Sequence, residues 1–169
     1  MPFRASTQGW IEGPSLGRQT CALGRCGVIA AENKREGDGC SPAGVWPLRR
    51  VLYRPDRLSR PRSLLPVAPL SAGDGWCDAP HDPLYNLPIK LPYPASAEQL
   101  WRDDHLYDII VVLGFNDDPV RAGRGSCIFW HIRHPDGRPT EGCVGVTLDQ
   151  MLAALAAAEA DDSLTITVD

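Results

Sequence analysis

The chain has 169 residues, 22% of them charged, and a formal net charge of −4. That length suffices for one domain with a core of its own, and the acidic balance excludes the basic surplus of a nucleic-acid-binding protein. No apolar run approaches the ~18 residues of a membrane-spanning helix, so no membrane span is expected.

Sixteen glycines and sixteen prolines imply many turns and a β-rich, loop-heavy chain. Residues 1–17 are polar and lack an apolar centre, so they do not read as a signal peptide. Residues 20–23 and 27–31 read as short strands around a Gly24-Arg25 turn. Glu36-Gly37-Asp38-Gly39 holds two glycines but lacks a Gly-Lys-Ser/Thr ending, and no long helix follows. It reads as a structural turn, not a phosphate loop. Residues 46–53 read as a strand. The basic clusters at Arg49-Arg50 and from Arg54 to Arg62 read as a solvated loop face rather than a polyanion site.

Residues 54–94 are proline-rich and without clear period. A brief extended piece is expected at 64–68, with the rest wrapping the surface near the functional site. Ser96-Ala97-Glu98-Gln99 has the pattern of a capping box, which predicts a short helix to about residue 103. Residues 107–114 form a nearly continuous apolar run, expected to be a central strand. Residues 126–132 read as a strand with Cys127, Phe129 and His131 on one face and Ile128, Trp130 and Ile132 on the other. The polar stretch 133–139 contains Pro135-Asp136-Gly137, a turn signal, and its length suits a return to the His131 strand. Thr147-Leu148-Asp149-Gln150 is a second capping box. It predicts a helix to about residue 158 with Met151, Leu152 and Leu155 on one face. Residues 163–168 alternate through Leu164, Ile166 and Val168 and read as a closing strand.

The chemistry concentrates at Cys143, twelve positions after His131 and within Thr140-Glu141-Gly142-Cys143-Val144. A thiol is a strong nucleophile only as thiolate, so it needs a base or a positive field beside it. An imidazole on an adjacent segment supplies that base. A glycine before the cysteine lets the backbone bend and lets a carbonyl approach the peptide N–H groups of Gly142 and Cys143. Tyr85, Asn86, Trp76, Trp130 and Arg138 are candidates for lining the cleft, although core packing is an equal reading for the tryptophans. Asp78 and Asn116 are candidates for pinning loops. His134 is expected at the rim, and His81 and His105 carry no supporting pattern. The six cysteines stand at 21, 26, 40, 77, 127 and 143. A domain of this size does not need staples, so mostly buried, reduced thiols are expected; a Cys21–Cys26 pair on a hairpin is the lesser alternative. Cys127, His131, His134 and Cys143 do not match zinc-ligand spacing, and no Cys-x-x-Cys occurs. No metal and no cofactor are expected.

The stretches Cys127-Ile128-Phe129-Trp130-His131-Ile132 and Thr140-Glu141-Gly142-Cys143-Val144 resemble the active-site signature of YkuD-type L,D-transpeptidases. Residues 34–44 and Asp74-Gly75-Trp76-Cys77-Asp78 are similar to the compact proteobacterial branch of that family. The resemblance covers roughly residue 19 to the C-terminus, and leaves residues 1–18 as a poorly matching N-terminal arm of a single catalytic domain spanning 1–169. It implies a mainly β, sandwich-like fold with a few short helices. It also implies a cysteine acyltransferase of peptidoglycan biosynthesis and cell-shape maintenance, in which Cys143 is the nucleophile and His131 the base. Thr140, Glu141, Trp130, Tyr85, Asn86 and Arg138 would orient the site or touch substrate. The expected partners are peptidoglycan stem peptides, with carbapenem-type compounds as inhibitors. The product would be a 3,3 cross-link, or a 1,3 link from L-alanine to diaminopimelate. An L,D-carboxypeptidase or amidase and a non-catalytic wall-binding module are the alternatives. The substrate implies the periplasm or cell envelope, whereas the first residues leave the cytoplasm open as an alternative. Two departures from the family pattern stand out. Glu141 replaces the usual histidine, where it would bond His131 or the substrate amine, or face solvent. Gly145 replaces an arginine often found two positions after the cysteine.

Overall fold

The structure, a computed structural model, describes residues 3–168; the outermost positions of the expected 1–169 span lie outside the described residues. Its strands are β1 (Phe3–Ser6), β2 (Trp10–Gly13), β3 (Gly17–Thr20), β4 (Val28–Ala30), β5 (Ser41–Tyr53), β6 (Val67–Pro69), β7 (Asp74–Cys77), β8 (Pro88–Lys90), β9 (Ala97–Gln99), β10 (Ile109–Leu113), β11 (Phe129–Ile132), β12 (Val144–Val146) and β13 (Ser163–Thr167). The helix α1 (Leu148–Ala157) lies between β12 and β13. The mainly β, sandwich-like reading is thereby realised.

The large sheet runs β12-β11-β10-β5-β13-β1-β2-β3, with β4 and β6 also paired to β5. Its spine is the 13-residue β5, which pairs with β13 through its first half and with β10 through its second. Pro47, which has no N–H to give a ladder, sits where β5 changes partners. The register then slips between Val112 and Leu113, so Arg49 is the extra residue of a bulge. β10 is buried along its whole length, as its unbroken apolar run predicts. Ile109, Val111 and Leu113 enter the main core with Trp130, Val144 and the helix residues Met151, Ala154 and Leu155. Ile110 and Val112 face a second cluster with Phe129, Tyr107 and Trp76. The small sheet β8-β7-β9 covers that second face.

Several expectations need correction. Residues 97–99 form β9, not a helix: their backbone pairs with β7 from Gly75↔Gln99 to Cys77↔Ala97. A helix of one or two turns has little stability of its own, so a ladder partner outcompetes the capping pattern. Residues 17–20, rather than 20–23, form the strand, and Ala22 and Gly24 make isolated bridges to Gly145 and Thr140. The extended piece expected at 64–68 is β6, shifted to Val67–Pro69. The capping box of Thr147 and Gln150 forms as read, with both reciprocal bonds present. Leu152, however, is exposed, because the buried stripe follows the i, i+3, i+4 positions 151, 154 and 155. Val168 is exposed beyond the end of β13, whereas Leu164 and Ile166 are buried. Cys26 and Cys40 are joined by a disulfide, not reduced, while Cys21, Cys77, Cys127 and Cys143 are buried free thiols. The first strands are integral to the sheet: β1 pairs in parallel with β13 from Phe3↔Leu164 to Ser6↔Thr167.

Candidate active site

The parallel pairing of β11 with β12 sets the site. It aligns Trp130 with Val144 and His131 with Gly145. Side chains alternate along a strand, and Trp130 and Val144 both enter the main core. Phe129, His131 and Cys143 therefore share the opposite face. Cys143 and His131 line one cleft of about 580 Å³. A parallel pair cannot be closed by a tight hairpin, so residues 133–143 must cross back. That return is tied to the segment before β4: the Thr140 N–H donates to Leu23 O, and the Arg25 N–H donates to Thr140 O.

The turn into Cys143 is fixed from below. Gly142 adopts φ +128°, and a Cβ there would lie 2.8 Å from the carbonyl oxygen of Cys40. Glycine is needed both for the backbone conformation and for this close approach. Thr140 Oγ1 donates to Cys143 O at 2.8 Å and accepts the Gly142 N–H at 3.2 Å. Ser41 Oγ donates to the same Cys143 carbonyl at 3.2 Å and accepts the Gly24 N–H at 2.9 Å. The Cys26–Cys40 bridge, spanning 14 positions, clamps the strap that carries these contacts. A Cys26→Ala/Cys40→Ala double variant is expected to lose about 2–3 kcal/mol of stability in denaturant unfolding, from loop closure alone. An unchanged midpoint would mean the strap holds itself.

The thiol of Cys143 donates to Cys127 O at 3.1 Å, and its sulfur accepts the Phe129 N–H at 3.4 Å. Burial pushes this thiol up to about 12, and the carboxylate of Glu98 adds to the rise; the Phe129 N–H and Lys34 oppose it. At rest the Cys143 sulfur is a neutral thiol. A group titrating near 12 is on the order of 10⁻⁴ ionised at pH 8. Iodoacetamide is therefore expected to label Cys143 far more slowly in the folded chain than in the unfolded chain at that pH. Equal rates would place a thiolate in the resting site.

His131 is buried on β11. Its Nδ1 lies 2.8 Å from Ile132 O, a group that only accepts, so Nδ1 carries the proton and Nε2 presents its lone pair. Burial pulls the imidazole down to about 4, with Arg102 acting the same way and the bond to Ile132 opposing. Its ring meets Tyr107 edge-on at 5.1 Å. At neutral pH the cleft holds a neutral thiol, bonded to Cys127 O, and a neutral imidazole of fixed tautomer. Such a pair can move one proton from sulfur to nitrogen as the sulfur attacks a carbonyl.

The remaining sequence candidates divide. Thr140 lines the cleft and braces the turn, as above. Glu141 lies at the mouth, exposed, and pairs with Arg25 at 2.8 Å. The backbone carbonyl of Ile132, not Glu141, orients His131. Arg138 is at the rim, paired with Asp136, and His134 is beside it on the same carboxylate. Trp130 is fully buried on the far side of the strand, 5.2 Å from the Phe3 ring, and does not reach the cleft. Tyr85 is buried and ties loops together, donating to Glu36 and accepting the Gly125 N–H. Asn86 accepts from Trp76 Nε1 at 2.9 Å and from the Cys127 N–H at 3.2 Å, which holds the strained turn where Cys127 adopts φ +55°. Asn116 pins the loop that follows it by donating to Arg121 O and Gly125 O. A Cβ at Gly145 would meet Arg133 Cβ at 2.9 Å, so no arginine side chain fits there.

Sequence reasoning missed Glu98, Arg102 and Tyr107 in the cleft wall. Glu98 accepts from the Tyr107 hydroxyl and the Cys127 thiol, and burial raises its carboxyl. Nothing in its local sequence marks it, since β9 was read as a helix. Asp78 also lines the cleft, and its Oδ1 is buried with no hydrogen-bond partner among the described residues. Among those residues no cluster of His, Cys, Asp or Glu is arranged to hold a metal ion, and no helix is long and apolar enough to cross a membrane.

A family model, YkuD, described as the L,D-transpeptidase catalytic domain, matches residues 6–166. The match takes in most of the segment that the sequence set apart as an N-terminal arm. Comparison with curated proteins and with solved structures gives no match.

Proposed function

Since the chain belongs to the YkuD family of L,D-transpeptidase catalytic domains, whose activity is acyl transfer on peptidoglycan, we propose that Cys143 is its nucleophile and His131 its general base. The observation that carries this is the shared cleft: one buried sulfur backed by a peptide N–H, and one imidazole whose Nε2 is left as acceptor.

Nε2 of His131 takes the thiol proton as Sγ attacks the carbonyl of a stem peptide. The oxyanion is received by the Cys143 N–H, joined by the Gly142 N–H once it exchanges Thr140 Oγ1 for the substrate. The imidazolium so formed is a strong acid because its site resists charge. It passes its proton to the departing amine, which breaks the C–N bond and leaves a thioester on Cys143. An acceptor amine then attacks the thioester, giving its proton to His131 and restoring the thiol. The donor carbonyl belongs to diaminopimelate with D-alanine leaving, which gives a 3,3 link, or to L-alanine, which gives a 1,3 link. The Cys26–Cys40 disulfide supports action in an oxidising compartment such as the cell envelope.

The test is incubation with purified muropeptides, read by mass spectrometry. Cross-linked dimers are expected. Shortened monomers alone would reassign the chain to hydrolysis by water at the same thioester. Exposure to a carbapenem is expected to add one acyl mass at Cys143, and an unmodified thiol would favour a wall-binding role.

A further inference from the structure

We infer that the chain has a second ligand site, separate from the Cys143 cleft, which takes a carboxylate attached to a compact apolar or aromatic body. The site is a cleft of about 320 Å³ that shares no lining residue with the Cys143 cleft and is bounded by Trp76 and Phe129. Its lining is largely apolar, from Trp76, Val112, Phe115, Ile128 and Phe129, and its charged residues are Arg49, Asp117 and Arg50, of which the first two pair with each other. Volumes of this order suit small ligands, and a mainly apolar lining with one placed charge is the usual composition of such sites.

The state of Arg50 is what points to a ligand. Its Nε is buried and has no hydrogen-bond partner among the described residues. Buried polar groups are almost always satisfied, so an orphaned N–H on an arginine that lines a cleft, with no acid paired to its guanidinium among the described residues, marks a missing acceptor. The acid at the mouth does not supply it: Asp117 is held by the neighbouring Arg49 through bonds of 2.8 and 3.2 Å. Two successive arginines reach one cleft because of the bulge in β5, which takes Arg49 out of the ladder while Arg50 pairs with Val112. The Arg50 guanidinium carbon stands 5.8 Å from the Trp76 ring centroid. Trp76 is itself fixed by its indole bond to Asn86 and by an edge-on contact with Phe129 at 5.1 Å. The cation is thus held over a fixed aromatic floor.

The chemistry of the occupant follows. A planar guanidinium fork matches a carboxylate. A single unpaired cation matches a single negative charge. The aromatic and branched walls exclude an ion without an apolar body, since such an ion would leave them in contact with water. A free aromatic or aliphatic acid and the C-terminal carboxylate of a short peptide share this chemistry.

The test is a nuclear magnetic resonance titration of the ¹⁵N-labelled full chain, following the Trp76 indole and Arg50 Nε–H signals. Phenylacetate is the probe for a free acid and N-acetyl-Ala-Phe for a chain end, with phenylacetamide as the uncharged control. Saturable shifts of both signals are expected with phenylacetate, half-complete near ~1 mM for a ligand of this size. Phenylacetamide on the wild-type chain, and phenylacetate on Arg50→Gln, are each expected to bind at least about tenfold more weakly. Tighter binding of the peptide than of phenylacetate assigns the site to chain ends, and the reverse assigns it to free acids; both support a carboxylate site. No saturable shift with either acid, or equal binding of the amide, overturns the proposal even if Arg50→Gln fails to fold. The readout does not use catalysis, so it stands or falls separately from the role of Cys143.

Discussion

Cys143→Ala is expected to abolish muropeptide dimers, with a loss of at least ~10⁴-fold in rate and no loss of fold. The nucleophile is the atom that becomes covalent, so nothing else in the cleft replaces it. The fold should survive because the contacts that shape the turn come from the Cys143 backbone carbonyl, which alanine keeps. Its sulfur makes only the two weak bonds to Cys127 O and the Phe129 N–H. Cys143→Ser is expected to be equally inactive, although it preserves size and polarity. A serine hydroxyl is far less acidic and less nucleophilic than a thiol in the same site, so attack with proton transfer to the same imidazole is harder still. Dimer yield, together with near-ultraviolet circular dichroism, checks both variants. Dimers formed by a folded Cys143→Ala would remove Cys143 from the chemistry.

The second large effect is on acid stability. In the folded chain His131 takes a proton only near pH 4, against 6.5 for an unperturbed histidine. Between those values the unfolded chain holds one more proton than the folded chain, so stability rises with pH. The contribution is fully present above about pH 6.5 and is lost as pH falls through that window to about 4. Its size is about 3 kcal/mol, from roughly 1.4 kcal/mol per pKa unit. Denaturant unfolding at pH ~7.5 and ~4.5 should show the wild-type chain losing most of this amount. His131→Gln, which cannot titrate, should lose that much less over the same interval. Parallel curves for the two proteins would mean that His131 is not held neutral by burial. The same variant should slow acyl transfer by roughly 10²–10⁴-fold, the usual range for a general base.

What the sequence made legible was local. The capping box at Thr147 and Gln150 carries its own partners within four residues, and it formed as read. The alternation through residues 127–132 placed His131 and Cys127 on one face and Trp130 on the other. The same alternation argues against Trp130 as a cleft residue, and the structure resolves that conflict in favour of the strand phase. The glycine before Cys143 was legible as a bend; its second reason, the carbonyl of Cys40 at 2.8 Å, was not. That contact joins segments about a hundred residues apart. The Cys26–Cys40 pairing was hidden for a related reason: Gly24 packs against residues 39–41, and only the fold brings those backbones together. Glu98 was misplaced because a four-residue capping pattern is a weak signal, while the strand partner that overrides it lies more than twenty positions upstream.

The order of strands in the large sheet is not the order of the chain. In the strand order, the run of β12, β11, β10 and β5 is hydrogen-bonded to the run of β1, β2 and β3 through β13. On a ribosome, the cysteine and histidine emerge before the strand that unites those runs. A nascent chain lacking residues 163–167 presents open edges on β1 and β5, each ready to pair with a foreign strand. The strand that closes the sheet is therefore the last of the described strands to be translated.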